Sequence, residues 1–312
     1  MSIAKVPLDG IPQVKSAGSG VGNTDVTSAA NVFTLHGPRE AMQPLLLDSP
    51  HSGRVFPADF GAAVSEDALR DGEDCFVDEL WLPATQRGAW LLAANFPRTY
   101  LDANRHADDV DLDLIDGGRW PGTHRPSGKA RIGKALVWRT LDDGTPIYAR
   151  KLGVAEVRAR IDRCHLPYHR ALAERIEATH ARFGVSVHLN CHSMKAVGGA
   201  QAEGGAGKPR ADFVLGDRDG TSCDPALTAF VGEALSGMGY DVKINDPYKG
   251  VELVRAYADP ATGRHSLQVE INQRLYLDER ARSPHEGFES LQKNLLALTD
   301  ALLEFAHARK RL

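Results

Sequence analysis

Short β-rich apolar runs alternate with longer segments of helical period along this chain, and that alternation confines it to the α/β class. Residues 45–47, three leucines, read as a buried strand closed by Ser49, Pro50 and Gly53. Residues 65–87 read as a helix with Leu69, Phe76, Leu80 and Leu82 roughly on one face, kinked or ended by Pro83. A strand follows at 89–95. Residues 151–183 carry a strong helical period through Val154, Val157, Ile161, His165, Tyr168, Leu172 and Ile176, and Gly184 is a good stop for it. Further strands are expected at 185–190, 213–215, 240–244 and 266–271, with helices at 224–238 and 285–309. The expected architecture is a three-layer α/β sandwich.

Residues 1–30 are rich in Ser, Gly, Ala, Asn and Thr and are expected to form a flexible N-terminal arm ahead of a single domain over 31–312. Residues 106–150 are polar, rich in Gly, Pro and Asp, and without period; such a stretch inside a domain is functional or disordered. At 312 residues and 42% hydrophobic, the chain can bury one large core. A net charge of −4 with no basic block or stripe argues against nucleic acid and a membrane surface as partners. No apolar stretch approaches the roughly 18 residues that span a bilayer, and the N-terminus lacks a signal-peptide core. Cys75, Cys164, Cys191 and Cys223 form no CxxC pair and read as free thiols, so a cytoplasmic protein is expected.

Two of the strand-like runs end in His-Ser. His51 follows the first, and His192 closes Val185-Ser186-Val187-His188-Leu189-Asn190-Cys191-His192-Ser193. The carboxyl edge of an open α/β sheet is where ligands bind, so these histidines are candidate metal ligands. A third ligand is to come from another His or from the acids Glu73, Asp74, Asp78 and Glu79 of the first helix, where Asp78 shares a face with Asp74 and Leu82. In the strand at 266–271, Gln268, Glu270 and Asn272 alternate with Leu267, Val269 and Ile271, and Glu270 is the natural general base beside a metal. Asn104 and Arg105, in the loop after the strand at 89–95, suit substrate binding, because a guanidinium matches a carboxylate or an oxyanion. Arg98, Lys249 and Arg255 are weaker candidates in loops or at element ends. His188 is expected behind the ligands rather than among them. The loop at 198–207 has no phosphate-cradle spacing.

Together these segments resemble the N-formylglutamate amidohydrolase family over roughly residues 32–305. The carriers are Leu46-Leu47-Asp48-Ser49-Pro50-His51-Ser52-Gly53, residues 74–80, Leu101-Asp102-Ala103-Asn104-Arg105 and Asn190-Cys191-His192-Ser193-Met194. Gly216-Asp217, Pro247-Tyr248-Lys249-Gly250 and the run from His265 to Gln273 complete the set. That family is similar in turn to the zinc carboxypeptidases and aspartoacylases. The resemblance implies their fold, a mixed central sheet between helices (phosphorylase/hydrolase-like), and one Zn2+ or other divalent ion per chain. It implies His51 and His192 as metal ligands and Glu270 as the catalytic carboxylate. Arg105, in a segment like the Asp-x-Asn-Arg of aspartoacylases, would bind substrate or polarise the scissile carbonyl.

Carboxypeptidases and aspartoacylases supply their acidic ligand as His-x-x-Glu, but Arg54 stands at that position here. Asp78 is therefore expected to be the acidic ligand. The implied reaction is metal-assisted hydrolysis of N-formylglutamate to formate and glutamate, as in histidine breakdown. Arg98, Asn104, Lys249 and Arg255 would bind that small-molecule substrate. The nearest rival is a related zinc-dependent N-acyl amino acid deacylase or a carboxypeptidase-like peptidase.

Overall fold

Strand segments buried along their whole length must be covered on both faces, and four of them form the middle of the sheet. The computed structural model describes residues 25–29, 32–199 and 204–308. In chain order the strands of the main sheet are β1 (Asp25–Ala29), β2 (Phe33–Gly37), β3 (Leu45–Ser49), β4 (Trp90–Ala94), β5 (Ser186–Met194), β6 (Phe213–Gly216), β7 (Val242–Ile244) and β8 (Arg264–Asn272). The helices are α1 (Glu66–Leu69), α2 (Val77–Trp81), α3 (Val154–Arg160), α4 (Leu166–Phe183), α5 (Pro225–Gly237), α6 (Glu252–Tyr257) and α7 (Gly287–Ala308). The strand order is β1-β2-β4-β3-β5-β8-β6-β7. Strands β4, β3, β5 and β8 run parallel, while β1, β2 and β6 pair antiparallel, so the sheet is mixed as expected.

Alternating side chains build two separate cores. On one face Leu46, Trp90 and Leu92 meet Tyr168, Leu172 and Ile176 of α4. On the other, Leu47, Leu91, Leu189 and Val269 meet Leu80 of α2, Val231 of α5 and Leu298 of α7. Helices on both faces make the three layers. Among the described residues no helix is long and apolar enough to cross a membrane.

Four expectations change. Residues 1–24 of the expected arm lie outside the described residues, and 25–29 form β1 against β2. Residues 106–150 form no long element, yet they bury Ile115, Leu136, Trp138 and Ile147 over the first core. The helix expected over 65–87 is broken. Gly72 lies so close to Trp138 that a Cβ there would sit 2.9 Å from its ring, and Phe76 enters α2 in the left-handed region with φ 61°. Residues 73–76 are therefore a turn, not helix. The helix expected over 151–183 is divided into α3 and α4 by a π-turn at Ile161–His165. Pro167 offers no N–H and crowds the carbonyl four residues back; Leu166 N–H bonds instead to Ile161 O, five residues back. Gly184, in the left-handed region at φ 73°, ends α4 as anticipated.

Candidate active site

Because β4, β3, β5 and β8 are parallel, their carboxyl ends share one edge of the sheet. His51 follows β3 there, His192 lies near the end of β5, and Glu270 of β8 is the register partner of His192. From β4 the chain turns into the loop that carries Arg98, Asp102, Asn104 and Arg105. His51, Arg98, Asn104, Arg105, His192 and Glu270 all line one cavity of about 450 Å³.

Asp74 joins the two histidines. Its Oδ2 lies 3.3 Å from His51 Nδ1 and 2.9 Å from His192 Nδ1, and the two rings are 4.7 Å apart. The three buried side chains offer ligand atoms within 4.8 Å of one another, a spacing at which they could hold a metal ion. The other ring nitrogens are held from behind. His51 Nε2 lies 2.7 Å from Asp102 Oδ1, which accepts its proton and leaves the Nδ1 lone pair aimed at Asp74. His51 Nδ1 is buried and has no hydrogen-bond partner. His192 Nε2 lies 2.8 Å from the Asn190 amide oxygen, and Asn190 in turn donates to Asp48 at 2.7 Å. Donation to Asn190 leaves His192 Nδ1 unprotonated, so that three acceptors converge. A cation satisfies that arrangement, and the orphaned His51 Nδ1 fits it.

The charges around this centre are strongly biased. Burial opposes ionisation of Asp102, but His51, Arg98 and Arg105 outweigh it and hold the carboxyl well below the usual carboxylate range. Burial likewise opposes ionisation of Asp74, but its close contacts with His192 and His51 and the charge of Arg98 outweigh that cost and lower its pKa. Glu270 goes the other way: burial, and after it the charge of Asp74, push its carboxyl upward. Gln268 Nε2 donates to Glu270 Oε1 at 3.0 Å. Deeper in the sheet, burial disfavours the Asp48 carboxylate, but His188, Asn190 and Tyr168 outweigh that cost and lower its pKa. His188 bonds Asp48 at 2.8 Å, behind the cluster as expected.

The acid expected in the cluster was Asp78, and the structure has Asp74 there instead. The turn at 73–76 removes the helical spacing on which Asp78 was chosen. Asp74 N–H donates to His51 O at 3.1 Å and Ser52 Oγ donates to Asp74 O at 3.0 Å, which ties the two loops together. Asp78 is half-buried beside Arg54, 3.8 Å away, and does not line the cavity.

Among the expected substrate contacts, Lys249 and Arg255 lie off the cavity. Lys249 is exposed and paired with Asp219 at 3.0 Å; Arg255, half exposed, folds back on Glu252 at 2.7 Å. Asn104 is present but engaged: its amide nitrogen donates to Asn190 Oδ1 at 3.4 Å and its oxygen accepts from Leu253 N–H at 2.9 Å. Arg98 donates to Asp102 at 3.0 Å and lies 3.6 Å from Asp74. Arg105 donates to the carbonyls of Lys134 and Asn104 at 3.2 and 3.3 Å.

Two arginines not singled out from the sequence also line the cavity, Arg125 and Arg210, and the charge of Arg210 reaches Glu270 and favours its carboxylate. The Arg210 guanidinium lies 5.1 Å from the Tyr248 ring centroid. Both sit in irregular segments without period, so no sequence signal marked them.

The profile of the family described as N-formylglutamate amidohydrolase matches residues 43–277. The chain is 31% identical to the N-formylglutamate deformylase of Pseudomonas aeruginosa over 85% of its own length and 95% of that protein. It is 29% identical to the N-formylglutamate deformylase of Pseudomonas putida over 76% and 82% of the two lengths. The crystal structure of N-formylglutamate amidohydrolase from Ralstonia eutropha JMP134 superposes with a TM-score of 0.85 at 47% identity, covering 89% of this chain and 99% of that one. A gene product of Agrobacterium tumefaciens, 20% identical with a TM-score of 0.63 over 88% and 96% of the two chains, shares the fold. Fold, cluster and profile agree: the chain belongs to the N-formylglutamate amidohydrolase family.

Proposed function

We propose that this protein hydrolyses the formamide bond of N-formyl-L-glutamate to formate and L-glutamate, with one zinc or similar divalent ion per chain held by His51, Asp74 and His192. Two imidazoles and a carboxylate with an open side match the ligand pattern of catalytic zinc. The observation that carries the reading is the meeting of this cluster with Glu270 inside a cavity that also presents arginines. The names of the Pseudomonas relatives support the substrate.

When bound, the metal supplies Lewis-acid polarisation of the formyl group and eases the ionisation of water. Glu270 accepts a proton from the attacking water as the C–O bond forms. It returns a proton to the leaving nitrogen as the C–N bond breaks, so formate and the free amine separate. Its raised pKa favours a carboxyl that can both take and give a proton. Arg105 steadies the negative charge that develops on the formyl oxygen. Arg98, Arg125 and Arg210 receive the two carboxylates of the substrate, for which a planar guanidinium is suited. Asn104 holds Asn190, whose amide oxygen orients His192.

The pathway proposed is histidine breakdown, in the cytoplasm; the four cysteines are free and buried, which supports a reducing compartment. Rates of amine release by the purified protein from N-formylglutamate, N-acetylaspartate and short peptides test the reading. The fastest turnover is expected with N-formylglutamate. Faster turnover of N-acetylaspartate or of a C-terminal peptide bond would move the assignment to an N-acyl amino acid deacylase or a carboxypeptidase-like peptidase.

A further inference from the structure

Two histidines outside the cluster, His165 buried and His169 half-buried, grip the loop that supports it. His165 closes the π-turn and His169 follows four residues later, so both project from the same face. Their rings stack with centroids 3.9 Å apart and planes at 18°. His165 Nε2 lies 2.9 Å from the carbonyl of Arg105, and His169 Nε2 lies 2.8 Å from the carbonyl of Ala103. A carbonyl only accepts, so both Nε2 atoms carry the proton. His169 Nδ1 lies 2.8 Å from Tyr257 Oη on α6, whose one hydrogen is shared between that nitrogen and the His169 carbonyl 3.1 Å away. The two gripped carbonyls flank Asn104.

That loop supports both histidines of the cluster. Asp102 accepts from His51 Nε2 at 2.7 Å and from Asn104 N–H at 2.9 Å. Asn104 Nδ2 donates at 3.4 Å to the Asn190 amide oxygen that also accepts from His192 Nε2. The π-turn matters here, because π-bulges often mark functional sites and this one ends on His165.

We infer that His165 and His169 are positioning residues: as a stacked, neutral pair they fix the 102–105 loop, and through Asp102 and Asn104 they set the orientation of His51 and His192. This rests on the metal-site reading of those two histidines. Outer partners of metal-ligating histidines are worth about 10–100-fold in metal affinity or activity, and one layer further out the lower end of that range is expected.

The test compares His165→Phe and His169→Phe, which keep an aromatic ring and lose the donor, with His165→Gln and His169→Gln, whose amide N–H can reach the same carbonyl. The readouts are zinc affinity by chelator competition, kcat and KM for N-formylglutamate, and Tm. The Phe variants are expected to bind zinc about tenfold more weakly and to lose about tenfold in kcat at similar KM, with the Gln variants restored to within about threefold. Wild-type zinc affinity and kcat in the Phe variants, with only Tm lowered, would overturn the inference. So would Gln variants as impaired as the Phe variants. If the Phe variants do not fold, His169→Asn, polar but too short to reach Ala103 O, takes their place. Zinc affinity is read without turnover. A wild-type protein that binds zinc but leaves N-formylglutamate intact would therefore sink the substrate assignment and leave this inference standing.

Discussion

The two faces of β5 and β8 are made by the same residues in alternation, yet one is a core and the other a site. Val187, Leu189 and Cys191 with Leu267, Val269 and Ile271 pack into the core shared with α5 and α7. His188, Asn190 and His192 with Ser266, Gln268 and Glu270 are just as buried but polar. Burial on the first face releases apolar surface from water and stabilises the fold. Burial on the second costs energy that hydrogen bonds offset: Asp48 accepts from His188 and Asn190, Asn190 accepts from His192, and Glu270 accepts from Gln268. The contrast predicts that changes on the two faces fail in different ways.

Changes on the polar face should cost the most activity with modest cost to folding. His192→Ala is expected to lose metal and turnover together; a stoichiometric metal content in that variant would remove His192 from the ligand set. Glu270→Gln is expected to keep the metal and lose about 10²–10⁴ in kcat, the usual range for a general acid–base group. A near-normal kcat would remove it as the proton carrier. On the apolar face the pattern should invert. Leu189→Ala, at a position with no exposure, is expected to lose about 2–5 kcal/mol of stability in urea unfolding while the molecules that remain folded turn over normally. A catalytic defect beyond the lost folded fraction would mean that the two faces are not separable.

The acids give a sharper version of the same contrast. Asp74→Asn is expected to weaken metal binding severely, whereas Asp78→Asn, off the cavity beside Arg54, should retain it. Equal metal loss in both would restore Asp78 to the site. The arginines follow at smaller magnitude. Arg210→Met is expected to raise KM for N-formylglutamate by about tenfold, roughly 1.4 kcal/mol, while Arg255→Met leaves it unchanged. A KM effect confined to Arg255 would reverse the division made by the cavity.

How far the sequence could be read follows from which information is local. Strand alternation and strand ends are local, so His51, His192, Glu270 and the helix stop at Gly184 were legible. Asp74 is hidden among four acids, because residues 65–87 carry a helical period and nothing local reveals Gly72 lying against Trp138 or the left-handed Phe76. Lys249 and Arg255 looked available because their partners, Asp219 and Glu252, are assigned only by tertiary structure or a folded-back side chain. Arg125 and Arg210 sit in aperiodic segments, and the cavity is what singles them out. The π-turn was hidden for the opposite reason: the period through 151–183 is so regular that a one-residue slip inside it leaves no mark.

The smallest effect concerns pH and the two sides of α4. Leu172 and Ile176 pack into apolar core and are indifferent to pH, whereas His169 on the same helix is half-buried against Ala103 O and Tyr257. Burial, and after it the neighbouring His165, push the His169 imidazole down to about 3. An unfolded chain returns it to its ordinary value near 6.5. Between those values the unfolded state holds a proton that the folded state refuses, so this contribution is fully present above about pH 6.5 and drains away as pH falls toward 3. By pH 5 the loss relative to pH 7.5 amounts to about 2 kcal/mol from this group. Urea unfolding of wild type and His169→Gln at the two pH values should therefore show the stability difference between them shrinking by about that amount at pH 5. A difference independent of pH would mean that His169 is protonated in the folded protein, which would also break the neutral pairing with His165.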